Sequence, residues 1–263
     1  MSSGEHYSFS QLNMLLRCGE QYRRRYVMGE RIPPSGNLVR GKCCHKTCEV
    51  NYDRKIKMGE YGSPEEMADL FATEWNTNKY DIAYTPEELE GRSISVVEGT
   101  FKDQGVRMVK EYHGTFAPTV VPRKTEEKFT VEFEEDIPPL VGILDLIDDR
   151  DVVIDNKFVG KSPVMDDIAS DAQMTMYDFG FRVAEKRKPA ALKKAFCVAL
   201  KTSTKMVVQE APPRDDDTIH RMLQRLKTAH GAIKAGNFLP AANGAWWCSK
   251  RFCGYWTTCK VRP

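Results

Sequence analysis

Apolar positions recur at helical spacing over roughly the first 112 residues, whereas after residue 125 they alternate or run together. The chain therefore predicts helices first and strands later. Ser8 or Ser10 can cap a helix carrying Leu12, Leu15, Leu16, Cys18 and Tyr22, which Arg23–Arg25 continue up to the break at Gly29 and Pro33-Pro34. A second helix is expected from near Asn37 through Gly41, His45 and Val50. Residues 64–80 and 86–112 read as two more, each with an early proline, Pro64 and Pro86. Phe129, Val131 and Phe133 alternate as on a half-buried strand. Leu140–Ile147 and Val152–Ile154 are apolar runs separated by Asp148-Asp149-Arg150-Asp151, the pattern of a hairpin. A helix over about Asp166–Lys186, one or two strands within Ala195–Thr202 and Lys205–Gln209, and a helix over 214–235 ending at Gly236 complete the series.

Composition adds limits. With 263 residues, 29% charged and 41% hydrophobic, the chain has the balance of a globular protein rather than a disordered one. Its net charge of +2 excludes a polycation, so binding to nucleic acid would rest on local patches such as Arg23–Arg25 or Lys186–Lys188. Both patches also fit solvated helix faces. No apolar stretch approaches the ~18 residues of a membrane span, and Met1–Tyr7 lacks the apolar core of a signal peptide. A cytoplasmic protein is expected, with no membrane partner. Its eight cysteines would then be reduced, and those at short spacing become candidate metal ligands.

The hairpin concentrates the chemistry. Asp145 interrupts the first apolar run, and the second continues as Asp155-Asn156-Lys157. Residues two apart share a strand face, so Asp155 and Lys157 project together. Two carboxylates on adjacent strands cannot both remain ionised in a partly buried site without a cation, and a divalent ion with oxygen ligands meets that need. Asp148 competes with Asp145, but the odd separation puts it on the other strand face. An ion pair at a strand end is the plain alternative for D-x-K taken alone.

Gly142-x-x-Asp145, Asp155-x-Lys157 and Gln173-x-x-x-Tyr177, in that order, resemble the RecB-like branch of the PD-(D/E)xK nucleases, which includes Cas4-like members. Gly41-x-x-x-His45 matches the branch's helical histidine motif, and Tyr7–Leu12 with Cys18 and Tyr22 its N-terminal signature. Glu127 occupies the place of a strand glutamate that precedes the first aspartate. The resemblance implies metal ligation by His45, Asp145 and Asp155, with the Asn156 carbonyl as a fourth ligand. It makes Lys157 the catalytic lysine, and puts Gln173 and Tyr177 on one helical face beside the scissile strand. The ion would be Mn²⁺ or Mg²⁺, the imidazole favouring Mn²⁺. Asn156 departs from the pattern, which commonly has an aromatic residue there.

Cys248, Cys253 and Cys259 fall within twelve residues of one another. In the iron–sulfur members of this branch one N-terminal cysteine joins three near the C-terminus, and Cys18 sits where that likeness places it. The resemblance thus implies a [4Fe–4S] cluster bracing the two ends of the chain, although the Cys248–Cys253 gap is longer than the family's. Zinc on the four thiolates, or no metal at all, stays open. Cys43, Cys44, Cys48 and Cys197 read as small core residues. Trp246, Trp247, Tyr255 and Trp256 either stack on bases or pack around the cluster.

The implied fold is an α/β PD-(D/E)xK restriction-endonuclease-like core, a mixed central sheet flanked by helices. As a single domain over 1–263 it would comprise a helical elaboration (1–120), a catalytic core (121–236) and a Cys-rich segment (237–263). The implied activity is that of a metal-dependent DNA exonuclease acting on single strands or duplex ends. A helicase or recombination partner and a homo-oligomer fit that activity. A nuclease-derived DNA-binding adaptor without catalysis, or a zinc-bound one, is the rival reading.

Overall fold

Ser8 opens the first helix through a reciprocal capping box with Gln11, which satisfies two otherwise free main-chain donors. The computed structural model describes residues 6–133, 136–164 and 167–262. In chain order the helices are α1 (Phe9–Arg17), α2 (Gly19–Tyr22), α3 (Gly36–Met58), α4 (Pro64–Asn78), α5 (Pro86–Leu89), α6 (Ile94–Glu111), α7 (Asp167–Ser170), α8 (Ala172–Glu185) and α9 (Asp216–Lys234). The strands are β1 (Pro122–Val131), β2 (Leu140–Asp148), β3 (Val152–Val159), β4 (Ala191–Ala199) and β5 (Thr204–Ala211). None of the described helices is long and apolar enough to cross a membrane.

Several expected elements are divided by local chemistry. The 86–112 helix breaks after α5, where Glu90 and Gly91 both adopt positive φ, and α6 starts after Ser93. The 166–186 helix breaks at Asp171, whose carboxylate caps α8 through the Met174 amide. The predicted start at Asp166 lies outside the described residues. The strand expected from Ala195 begins four residues earlier and stops at Ala199, and β1 starts at Pro122 and ends before Phe133.

The five strands form one mixed sheet in the order β1-β2-β3-β4-β5. β2 and β3 are antiparallel, with Leu146 opposite Ile154, whereas β3 and β4 run parallel over eight rungs, joined through α7 and α8. β4 and β5 are antiparallel. β3 and β4 are almost wholly buried, as a parallel pair under helices must be.

The chain divides into two compact units. One comprises 33–127 and 143–213. Its core joins Val39, Cys44 and Cys48 of α3, Phe71 and Trp75 of α4 and Met108 of α6 to Leu146, Ile154 and Cys197 of the sheet. Cys43, Cys44, Cys48 and Cys197 are all buried there, and burial raises each thiol well out of its reactive range. The other unit comprises 1–32, 128–142 and 214–263. In it Gly19 accepts no side chain, because a Cβ would lie 2.7 Å from the Leu239 main chain, to whose carbonyl its own amide donates.

Candidate active site

β3 does not end at Ile154 but carries on through Asp155, Asn156 and Lys157, in the interior of the sheet. The β2–β3 register runs through Ile147–Val153 and Leu146–Ile154, and Asp145 and Asp155 are the next residues on the two strands, where the ladder gives way to a side-chain contact. There the Asp145 carboxylate accepts the Asn156 amide at 2.9 Å, taking the role of a strand carbonyl. Asp148, by contrast, is consumed by the turn, where it accepts from the Arg150 and Val152 amides and pairs with the Arg150 guanidinium. Gly142, three residues before Asp145, lies under the Phe129 ring, which a Cβ would approach to 2.3 Å.

His45 reaches the same place from α3, with Nδ1 3.6 Å from an Asp145 carboxylate oxygen and its ring edge-on to Phe158. Gly41, one turn earlier, lies over β3, where an added Cβ would meet the Phe158 carbonyl oxygen at an ordinary 3.7 Å. Burial and then the Lys157 charge depress the imidazole to about 4, against the pull of Asp155 and a hydrogen bond with the Asn156 main chain.

Lys157 Nζ donates to Asp155 Oδ1 at 2.8 Å and to Gln173 Oε1 at 3.1 Å. Gln173 Nε2 donates in turn to the Tyr177 hydroxyl at 2.9 Å. Burial alone would depress Lys157, but Asp155 and Asp145 outweigh it and keep the ammonium charged. Both aspartates are pushed above the usual carboxylate range by burial, despite the nearby lysine. Burial and the two aspartates also raise Tyr177, so its hydroxyl keeps its proton. His45, Asp145, Asp155, Lys157, Gln173 and Tyr177 therefore form one constellation.

Asp155 is fully buried, yet among the described residues its Oδ2 has no hydrogen-bond partner. A buried carboxylate oxygen left bare is costly unless a cation takes it. Beside a second carboxylate and an imidazole, that donor set fits a divalent ion of the Mg²⁺ or Mn²⁺ kind. No group of three or more His, Cys, Asp or Glu among the described residues is gathered tightly enough to hold a metal as it stands.

Three residues stand differently from the sequence-based expectation. The Asn156 side chain lies in the core, its Oδ1 accepting from the Tyr112 hydroxyl at 2.6 Å, and Tyr112 also bonds Tyr52. The Asn156 carbonyl oxygen at this buried position thus has a partner, which accounts for a polar residue where an aromatic is usual. Glu127 pairs with Lys124, whereas Glu126, at positive φ, is the glutamate that feels Asp145; partial desolvation and then Asp145 and Glu49 raise its carboxyl. Lys194, absent from the sequence-based list, is a buried cation on β4 in register with Asp155, and it pairs with Asp171, the cap of α8.

In the other unit, the chain leaves helical geometry at Cys18. Cys18, Cys248, Cys253 and Cys259 line one cavity together with Gln21, Trp247 and Tyr255. Burial and then the three neighbouring thiols raise Cys248, and Gln21 Nε2 donates to Cys253 Sγ at 3.1 Å. Tyr255 is packed, its hydroxyl donating to the Glu30 carbonyl and its ring facing Arg24. Of the expected basic patches, Arg23 pairs with Glu20, Arg24 with Glu30, and Arg187 with Asp151 and Glu185.

Among solved structures, a protein from Eubacterium rectale provisionally named an exonuclease is similar in fold, with a TM-score of 0.59 at 11% identity, covering 98% of this chain and 89% of that one. The protein SSO0001 aligns at 14% identity over 100% of this chain and 89% of its own, with a TM-score of 0.44. No curated relative matches. The sequence model of the PD-(D/E)XK nuclease superfamily matches residues 6–260, and the chain belongs to that superfamily.

Proposed function

We propose that this nuclease is a RecB-like deoxyribonuclease that degrades DNA from single strands or duplex ends, with Mg²⁺ or Mn²⁺ held by His45, Asp145, Asp155 and the Asn156 carbonyl. The observation that carries the reading is the bare, buried Oδ2 of Asp155, next in the chain to Asn156, whose amide bonds the Asp145 carboxylate. When bound, a divalent cation supplies Lewis acidity and a water acidified toward neutrality. Lys157, held by Asp155 and Gln173, orients the attacking water and offsets negative charge that grows on the phosphoryl oxygens. Gln173 spends its carbonyl on Lys157 and its amide on Tyr177. That leaves the Tyr177 proton free to bond a phosphate oxygen of the scissile strand. Asp145 and His45 carry the ligand set from β2 and α3, so the site needs three elements folded together.

End-labelled single- and double-stranded DNA, incubated with Mg²⁺ or Mn²⁺, should be shortened by the wild type. Lys157→Ala should slow cleavage by about 10²–10³-fold and Asp155→Ala should abolish it. Cleavage that persists in both variants would overturn the assignment.

For the four cysteines we propose a [4Fe–4S] cluster that braces the first helices against the C-terminal segment. The support is that all four thiols line one cavity. Anaerobically purified protein should be brown, with iron and acid-labile sulfide that Cys253→Ser loses. Stoichiometric zinc in a colourless protein would replace this assignment with a zinc site.

A further inference from the structure

Charge is divided unevenly along the chain. The unit built from 1–32, 128–142 and 214–263 holds 15 Lys and Arg against 10 Asp and Glu, while the unit with the aspartate pair holds 24 against 27. The excess is concentrated further: from Thr218 to Arg262 there are eight Lys and Arg and no carboxylate side chain at all. A solvated face ordinarily mixes both signs. A stretch of 45 residues without one acid is the electrostatic footprint of a polyanion.

Within that stretch, large aromatic faces are left open. Trp246 is 63% exposed and Phe252 51%, whereas their neighbour Tyr255 is 6% exposed. The Trp246 and Phe252 rings meet edge to face at 4.9 Å, and Trp247 packs edge-on to Trp246 at 5.6 Å, contacts that orient the rings while leaving Trp246 and Phe252 more than half exposed. Guanidinium groups flank the pair, with Arg17 5.8 Å from the Trp246 centroid and Arg251 5.2 Å from that of Phe252. Lys250 and Arg251 are exposed, and among the described residues no carboxylate pairs with either. Exposed aromatic rings beside cations that no carboxylate pairs suit unstacked bases on a phosphate backbone, and Lys250 is of a residue type depleted at protein interfaces.

We propose that Trp246 and Phe252, with Arg17, Lys250 and Arg251, form a platform that binds single-stranded DNA by base stacking and phosphate contact, without reading sequence. It rests on the proposal that the substrate is DNA, and gives the single-stranded form a binding surface separate from the catalytic residues. A duplex keeps its bases stacked on one another and has no faces to offer the two rings.

The test is binding of fluorescent oligonucleotides to the full-length Asp155→Ala chain, without added divalent cation, so that cleavage plays no part. Oligo(dT) should bind more tightly than an abasic strand of equal length or a blunt duplex. Trp246→Ala with Phe252→Ala should weaken oligo(dT) about 10-fold or more and erase its advantage over the abasic strand. Lys250→Ala with Arg251→Ala should lower the salt dependence by a slope of roughly 0.7 per cation, leaving base discrimination in place. Unchanged thermal unfolding in each variant separates loss of the surface from loss of the fold. Equal affinity for oligo(dT) and the abasic strand, or an aromatic double variant that binds like its parent, would overturn the proposal. Either result would leave the cleavage assay untouched.

Discussion

Replacing Asp145 with Asn should make the cation-free chain more stable while abolishing its cleavage activity. Asp145 and Asp155 follow the last paired rung of β2 and β3, and the ordinary cross-strand separation is about 5 Å. At an effective dielectric of about 20, two like charges at that distance repel by roughly 3 kcal/mol. Attraction to Lys157 returns a comparable amount, and the cost of burying the carboxylate is left over. That balance agrees with the upward displacement of both carboxyls. An acid whose pKa is raised by folding opposes folding when charged, and the opposition fades as pH falls through the folded-state value. Asparagine keeps an oxygen for the Asn156 amide and removes the charge. The expected gain is about 1–2 kcal/mol near pH 7.5, or about 2–4 °C in melting temperature for each kcal/mol, shrinking toward zero near pH 4. Thermal unfolding of both chains after removal of divalent ions, repeated at several pH values, measures it. Added Mn²⁺ should stabilise the wild type, by about 2.7 kcal/mol at a hundred times its dissociation constant, and leave the variant nearly unmoved. A variant less stable than wild type at pH 7.5 without cation would refute the reasoning, because Asp145 would then be a structural acceptor.

Lys194→Ala should cost about 3 kcal/mol by stranding Asp171 and slow cleavage by loosening the start of α8, and Lys194→Met, which strands the same carboxylate, should recover only the part due to lost packing; urea unfolding and rates on labelled DNA read the two effects. Tyr112→Phe removes the buried hydroxyl between Tyr52 and Asn156 and should cost about 1–3 kcal/mol by urea unfolding. Gly19→Ala should lose about 1–3 kcal/mol through forced contact with Leu239 and should lower the metal content of the cysteine cavity, measured by elemental analysis. Glu126→Gln should change the pH profile of cleavage, and Glu127→Gln should leave it as in the wild type.

The residues that the sequence made visible are those whose meaning is local. Asp155 and Lys157 share a face because a strand has a period of two, and Asp145 announces itself by breaking an apolar run. Gln173 and Tyr177 share a helical face for the equivalent reason. Where a backbone departs from its period, the reading slips. A positive φ at Glu126 interrupts the two-residue alternation just before Glu127. The breaks at Glu90-Gly91 and Asp171 did leave marks, a glycine followed by Ser93 and an Asx residue at a helix start, and a closer reading of caps would have found them.

What no local pattern could supply is the identity of long-range partners. Asn156 looks like a defect in D-x-K until Tyr112, 44 residues away, is seen to hold its side chain. Lys194 sits in a run that reads as the polar approach to a strand, yet it is buried on a rung with Asp155 and bonded to the cap of α8. That contact links the strand next to Asp155 with the helix that carries Gln173. Asp155 thus has a lysine beside it on its own strand, bonded to its Oδ1, and another on the next, bonded to Asp171 at the start of α8. Lys157 leaves the Asp155 Oδ2 without a partner among the described residues. Were Lys194 to bond Asp155 directly, that oxygen would be spent and the site would lose its place for a cation. Lys194 is bonded instead to Asp171, the cap of α8, and Asp155 Oδ2 stays unshared among the described residues.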